Sequence, residues 1–241
     1  MSNINANTNL PKFNEEKLAA RSKVFLTIAK RSKIVNNRGY KFLKSIGIPR
    51  SIQYAAQGDG HLVFLPGMPE QSLAFLKSIL KPELLEAAHF TEKHLISMAN
   101  RPIVWIFNCG QSAEFFPTWK LEEFKSFRFG DPTVPGMWLG EDMNAPCVLV
   151  DSVLDAMKIR AAGHTGDILS RPLVESKDFD YVKNYARWSE NGILVMLKDD
   201  PLLHGHKLDY SRMRAIEAVN SVKPRGACVI ENSTCNELAE C

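Results

Sequence analysis

Cysteine is scarce and badly placed for a covalent or metal framework. Cys109, Cys147, Cys228, Cys235 and Cys241 are odd in number and include no C-x-x-C pair, which excludes a disulfide scaffold and a zinc ribbon and leaves reduced thiols. Nor does any apolar run approach the roughly 18 residues that crossing a bilayer demands. Met1 to Leu10 is polar and rich in Asn, without the apolar centre of a secretory signal or the Arg-rich amphipathic character of a transit peptide. A soluble, cytoplasmic protein with a frayed N-terminus and no membrane partner is expected. The chain also has no G-x-x-x-x-G-K-[ST] phosphate loop, no G-x-S-x-G, no evident Cys–His nucleophile pair, no internal repeat and no low-complexity tract. Phosphate-loop helicases and serine hydrolases of the elbow type are thereby excluded.

What is present suits a folded chain: 241 residues, 45% hydrophobic and 24% charged, enough for one substantial core or two small ones. The net charge of +3 conceals an asymmetry. Residues 1–50 carry eleven Lys or Arg against Glu15 and Glu16, a surplus of nine, whereas residues 51–241 hold 19 basic and 25 acidic side chains, a net −6. A cationic N-terminal segment of this kind either is a solvated helix face or favours a polyanion, of which nucleic acid is the natural choice.

Asn14, Glu15 and Glu16 start a helix in which Leu18, Val24, Phe25 and Ile28 recur at helical spacing to about Ser32. A short helix over Tyr40 to Ser45 is stopped by Gly47 and Pro49. His61 to Leu65 reads as a strand, Pro69 to Leu80 and Pro82 to Ala99 as two helices, and Ile103 to Phe107 with Ala113 to Phe116 as a hairpin around Asn108-Cys109-Gly110. The last hundred residues follow another pattern. Short, wholly apolar runs (Cys147 to Val150, Ile193 to Leu197, Ala227 to Ile230) alternate with helices over Ser152 to Ala162, Lys177 to Trp188 and Tyr210 to Val222. That alternation predicts a parallel sheet flanked by helices, an α/β unit following an α+β N-terminal one.

Ligands of an open parallel sheet collect beyond the carboxyl ends of its strands. Asp151 and Asp155 follow the first of these runs, Asp199 and Asp200 the second, and Glu231 and Asn232 the third. Singly, each aspartate reads equally well as a turn residue or cap. Together they form a candidate crevice for Mg²⁺ or Mn²⁺ handling phosphates. His204, His206 and Asp209 are ligand-type residues that a polar loop also explains. Lys120, Lys125 and Arg128 interleave with Trp119, Phe124, Phe127 and Phe129, where the bases suit a template strand and the aromatics either stack on it or belong to the core.

The segment APCVLVDSVLDAMKIRAAGH resembles the opening of the TOPRIM domain of bacterial and phage-type DNA primases, in which an apolar strand ends in Glu-Gly with Asp soon after. ILVMLKDDPLLHG is similar to that domain's second signature, a strand ending in a metal-binding Asp-x-Asp. RPIVWIFNCGQSAEFFPTWKLEEFKSFRFGDPTVPGMWLG and GYKFLKSIGIP resemble the part of the primase core that precedes TOPRIM, and RAIEAVNSVKPRGACVIENSTCNELAEC resembles its closing helix and strand in phage primase-helicases. The resemblance implies a basic helical arm (1–50), an α+β primase-like subdomain (51–145) and a TOPRIM-like α/β subdomain (146–241). It implies synthesis of short RNA primers on single-stranded DNA from ribonucleotides, with a separate helicase or polymerase as partner. Metal would be held by Asp151, Asp199 and Asp200, with Asp155 as a further catalytic acid, while Lys120, Lys125, Arg128 and Lys198 would contact nucleic acid or nucleotide.

The chain departs from the family at several of these places. Asp151 stands for the family's Glu and Ser152 for its Gly. The acidic pair falls on Lys198-Asp199-Asp200 or on Asp200-Pro201-Leu202, one acid short in either register, and Thr234 replaces a late acid. Two further readings follow: a degenerate TOPRIM subunit that binds nucleic acid within a replication or transcription complex, and a TOPRIM nuclease.

Overall fold

The computed structural model describes residues 15–118, 125–176, 178–189, 191–197, 200–204, 207–209, 211–223 and 227–229. Helices α1 (Glu15–Arg31), α2 (Asn37–Ser45) and α3 (Arg50–Gly58) lead into strand β1 (Leu62–Phe64), and α4 (Pro69–Ile79), α5 (Pro82–Ala87) and α6 (Glu92–Ala99) follow. Strands β2 (Ile103–Phe107), β3 (Ser112–Phe116) and β4 (Phe127–Gly130) complete an antiparallel sheet in the order β1-β2-β3-β4. The second half runs β5 (Gly136–Trp138), β6 (Cys147–Val150), α7 (Val153–Ala161), β7 (Ile168–Ser170), α8 (Asp180–Trp188) and β8 (Ile193–Val195). It ends with β9 (Asp200–His204), β10 (Lys207–Asp209), α9 (Ser211–Val222) and β11 (Ala227–Val229). Among the described residues no helix is long and apolar enough to cross a membrane.

The wholly apolar strands have a simple cause: both faces of each are covered. Successive side chains of a strand point to opposite faces. In β2, Ile103, Trp105 and Phe107 enter one core while Val104 and Ile106 enter another. In β6, Val148 and Val150 join the first of these, and Cys147 and Leu149 a third. Five layers result: α1 with α4 to α6, the antiparallel sheet, then α2, α3 and α7, the second sheet, and finally α8 with α9. The middle core takes side chains from both sheets, with Trp105 of β2 and Trp138 of β5 meeting edge to face at 5.5 Å.

The second sheet is mixed. Strands β6, β7, β8 and β11 are parallel in the order β11-β8-β6-β7, and β5 lies antiparallel along β7. Neither β5 nor β7 is foreseen from the sequence, so the parallel sheet expected there gains one parallel strand and an antiparallel edge; β9 and β10 form a separate hairpin. The helix expected over Pro82 to Ala99 is two. His89 adopts a left-handed φ of 53°, Phe90 turns into the core, and Thr91 with His94 caps α6 in a reciprocal box.

The residues read as a basic arm are docked where they are described. Ala20, Val24, Phe25 and Ile28 of α1 are buried against the antiparallel sheet, so its Lys and Arg decorate a structural helix. Deleting residues 1–35 therefore uncovers that sheet. The expected outcome in thermal or urea denaturation is loss of the cooperative transition, since burial of Phe25 alone is worth about 3 kcal/mol or more; a truncated chain retaining the wild-type midpoint contradicts the packing.

Candidate site at the strand ends

From β6 the chain passes through α7 on one face of the mixed sheet to reach β7. Strand β8, the neighbour on its other side, leads to α9 on the opposite face. Such a reversal opens a crevice at the carboxyl ends of the two strands, and Asp151 follows β6 at that point. The parallel register pairs Val150 with Ser170, and Arg171 N donates to the Val150 carbonyl at 3.0 Å. The residue after β7 is thus fixed beside the residue after β6.

Arg171 fills the described part of the crevice. Its Nη1 donates to Asp151 Oδ1 at 3.2 Å, and its Nη2 donates to Glu175 Oε2 at 3.1 Å and to Ser211 Oγ at 2.9 Å. The Tyr181 hydroxyl donates to Glu175 Oε1 at 2.9 Å. Burial first, and the adjacent Glu175 charge second, push the Tyr181 phenol up, so it stays a neutral donor. One guanidinium therefore ties the ends of β6 and β7, the loop before α8 and the start of α9.

Asp155 has a local role. Ser152 caps α7, its Oγ accepting from Asp155 N at 3.1 Å and donating to Asp155 Oδ2 at 2.6 Å, and Lys158 lies 3.8 Å from the same carboxylate. Asp200 opens β9, paired with Asp209 across the hairpin. Asp199, Lys198 and Lys120 lie outside the described residues, as do His206, Glu231, Asn232 and Thr234. Of the acids expected to share a metal, only Asp151 is described as far as its side chain. Among the described residues no three His, Cys, Asp or Glu side chains converge to hold a metal ion. The described acids of the crevice, Asp151 and Glu175, face an arginine instead, and these two do not by themselves make a site for Mg²⁺ or Mn²⁺.

The expected nucleic-acid ligands separate. Lys125 is exposed. Arg128 is not: its side chain is only 7% exposed, pairs with Glu114 at 2.8 Å across β3 and β4, and lies 4.2 Å from the Phe107 ring. Its charge serves the core and not a phosphate, a correction that follows from the cross-strand register. Phe129 is likewise buried core. The larger basic surface lies on α2 and its flanks, where Lys30, Arg31, Lys33, Arg38, Lys41, Lys44 and Arg50 are all exposed and residues 30–50 contain no acid. Tyr54, 52% exposed, stands at its edge in contact with Tyr40, over which Arg50 is stacked.

A cavity of about 750 Å³ opens at the opposite, amino-terminal end of the parallel strands, between α3, the turn at Asn108 and the loop after α7. Trp138 Nε1 donates to Asp59 Oδ2 at 2.8 Å in its wall, and His61 stacks on Trp105 with rings 5.2 Å apart. With Asp59 and Glu141 on its lining and Arg160 bonded to the carbonyls of Trp138, Leu139 and His164, it does not suit a phosphate. Burial lowers the proton affinity of His61, against the opposing Ile106 carbonyl and Asp59. Burial and then Arg160 do the same to His164, against Asp167 and the Pro146 carbonyl. Both imidazoles are depressed in the fold, so their contribution is full above the unfolded value near 6.5 and is lost as pH falls through it. The thermal midpoint is expected to drop between about pH 7 and pH 5, with a shallower slope in the His61→Gln, His164→Gln variant; equal slopes sink this assignment.

Neither a family model nor a curated protein sequence matches the chain. Among solved structures it is similar to the Aquifex aeolicus primase, determined as its zinc-binding and RNA polymerase domains, with a TM-score of 0.59 at 15% identity. The fold is primase-like. The match covers 96% of this chain and 60% of that primase chain, so the chain spans less than two thirds of its neighbour's length.

Arg171, Glu175, Tyr181 and Ser211 are absent from any sequence-based expectation. The signal that could have found them is an arginine two residues after the apolar pair Ile168-Leu169, in a loop that also holds Glu175.

Proposed function

We propose that this chain is a primase-like protein that binds single-stranded DNA, with a TOPRIM-type unit in its C-terminal half whose crevice is kept for structure and not for polymerisation. The observation that carries the reading is the exposed strip from Lys30 to Arg50, seven basic side chains with no acid between them, on a primase-like fold. A strip of this kind releases counterions from a polyanion and gives salt-dependent affinity. The pairing of Arg171 with Asp151 favours the binding role over primer synthesis or phosphodiester cleavage, because an acid already neutralised by a fixed cation is a poor ligand for a catalytic metal. A separate helicase or polymerase supplying the chemistry belongs to the same proposal.

The test is incubation with single-stranded DNA, labelled ribonucleotides and Mg²⁺ or Mn²⁺, beside Asp151→Ala. Retained DNA with neither extension nor cleavage is expected. Labelled oligoribonucleotides that vanish in Asp151→Ala restore the polymerase reading, and shortened DNA that vanishes likewise restores the nuclease reading. Absence of any DNA binding at low salt overturns the proposal.

A further inference from the structure

At the strand-end crevice the structure assigns Arg171 as a resident cation in the place where a TOPRIM site takes a divalent ion. The inference rests on the TOPRIM reading only for the identity of the ion displaced; the geometry stands without it. A guanidinium presents a planar fork of donors, cannot be deprotonated, and matches carboxylates that lie to either side. Here the fork is divided, Nη1 to Asp151 and Nη2 to Glu175, with Ser211 Oγ taking a further bond. Asp151 and Glu175 come from two different segments, the end of β6 and the loop after β7, and two such acids brought together repel unless a cation lies between them. Arg171 lies between them.

The site is built and not incidental. Arg171 backbone continues the β6–β7 ladder through its bond to the Val150 carbonyl, so the side chain departs from a fixed point. Glu175 is 12% exposed, and its second oxygen is held by Tyr181. Asp151 and Arg171 are 25% and 22% exposed, enough for a solvent ion to reach the acid if the arginine left. In a metal site the same acids would direct lone pairs at an ion with several oxygen ligands; in this chain those lone pairs receive N–H and O–H donors. The crevice is charge-compensated by the chain itself, and neither stability nor DNA binding should depend on a divalent ion.

The measurement is the thermal midpoint in Mn²⁺, in Mg²⁺ and in chelator, for wild type, Arg171→Gln, Arg171→Lys and Arg171→Gln combined with Asp151→Asn. Wild type is expected to show the same midpoint in all three conditions. Arg171→Gln should melt lower and recover part of the loss in millimolar Mn²⁺ with saturation, and the added Asp151→Asn should abolish the recovery. Arg171→Lys, which keeps the charge without the fork, should fall between wild type and Gln and respond little to Mn²⁺. A saturable Mn²⁺ rise in wild type overturns the inference, because the ion then coexists with the arginine. So does an Arg171→Gln chain that is destabilised yet indifferent to Mn²⁺, which makes Arg171 a clamp without any relation to a metal. If Arg171→Gln does not fold, the wild-type arm and Arg171→Lys still decide. Single-stranded DNA binding, followed on the same samples with and without chelator, reports separately on the proposed function: its absence defeats that proposal and leaves the midpoint result standing.

Discussion

Glu114→Ala is expected to be the most damaging single polar substitution in the N-terminal half, lowering stability by about 3–5 kcal/mol in denaturant titrations. Glu114 and Arg128 face each other across β3 and β4 with side chains 12% and 7% exposed. Glu114 Oε2 accepts from both Nε and Nη2 of Arg128, at 3.2 and 2.8 Å, and Oε1 accepts from Ser126 Oγ at 2.7 Å. Removing the carboxylate leaves a buried guanidinium whose Nη1 has no hydrogen-bond partner among the described residues, with the Phe107 ring face 4.2 Å away a weak offset to its charge. The desolvation cost of the arginine is then uncompensated. Exchanging both members, Glu114→Leu with Arg128→Met, removes that cost together with the attraction, and the double variant should be markedly more stable than Glu114→Ala. If the double variant is the worse of the two, the pair contributes through specific geometry and the electrostatic account is wrong.

The same pair shows where sequence reading succeeds and where it stops. Wholly apolar runs flag β6, β8 and β11, of which β6 and β8 send side chains into a core on either face, and prolines mark the first turns of α4 and α5. Helical spacing of Val24, Phe25 and Ile28 identifies α1 and its buried stripe. Arg128, however, is basic and stands among other bases and aromatics, and nothing local distinguishes a phosphate ligand from an ion-pair member. The decision is made by the β3–β4 register, which brings in Glu114 from fourteen positions away. Arg171 is hidden for a related reason. Strand β7 is three residues long, too short to show a period, and its register against β6 is what sets Arg171 beside Asp151. Helix α3 follows Pro49 and buries mainly Gln53 and Ala56, so its apolar signal is weak, and Gln53 tolerates burial because its Nε2 donates to the carbonyls of Tyr40 and Ile48. The candidate site was legible as a place, the carboxyl end of β6, but its chemistry depends on contacts between segments.

The second large effect concerns the strip. Lys30, Lys33, Lys41 and Lys44 are exposed and spread over the end of α1, the following loop and α2. Because they lie on the outside of packed helices, they can be changed to Glu together while the stripe Ala20, Val24, Phe25 and Ile28, with Tyr40 and Leu43 of α2, keeps its packing. Each phosphate contact made by a lysine contributes about 0.7 to the slope of log affinity against log salt on single strands. Loss of all four should make that slope shallower by about 3, which at 0.1 M salt corresponds to a fall in affinity on the order of several hundredfold if binding is equal at 1 M. Reversal to Glu adds repulsion to the loss, so Lys→Gln at the same four positions isolates the counterion term. Fluorescence anisotropy of a labelled oligonucleotide from 0.05 to 0.3 M salt, roughly the range in which phosphate contacts dominate, measures both slope and affinity, and the thermal midpoint confirms that each variant is folded. A folded Glu variant with the wild-type slope places the DNA elsewhere on the molecule. In that case the seven exposed bases between residues 30 and 50 are a solvated helix face, and Lys125, two residues before β4, becomes the next surface to probe.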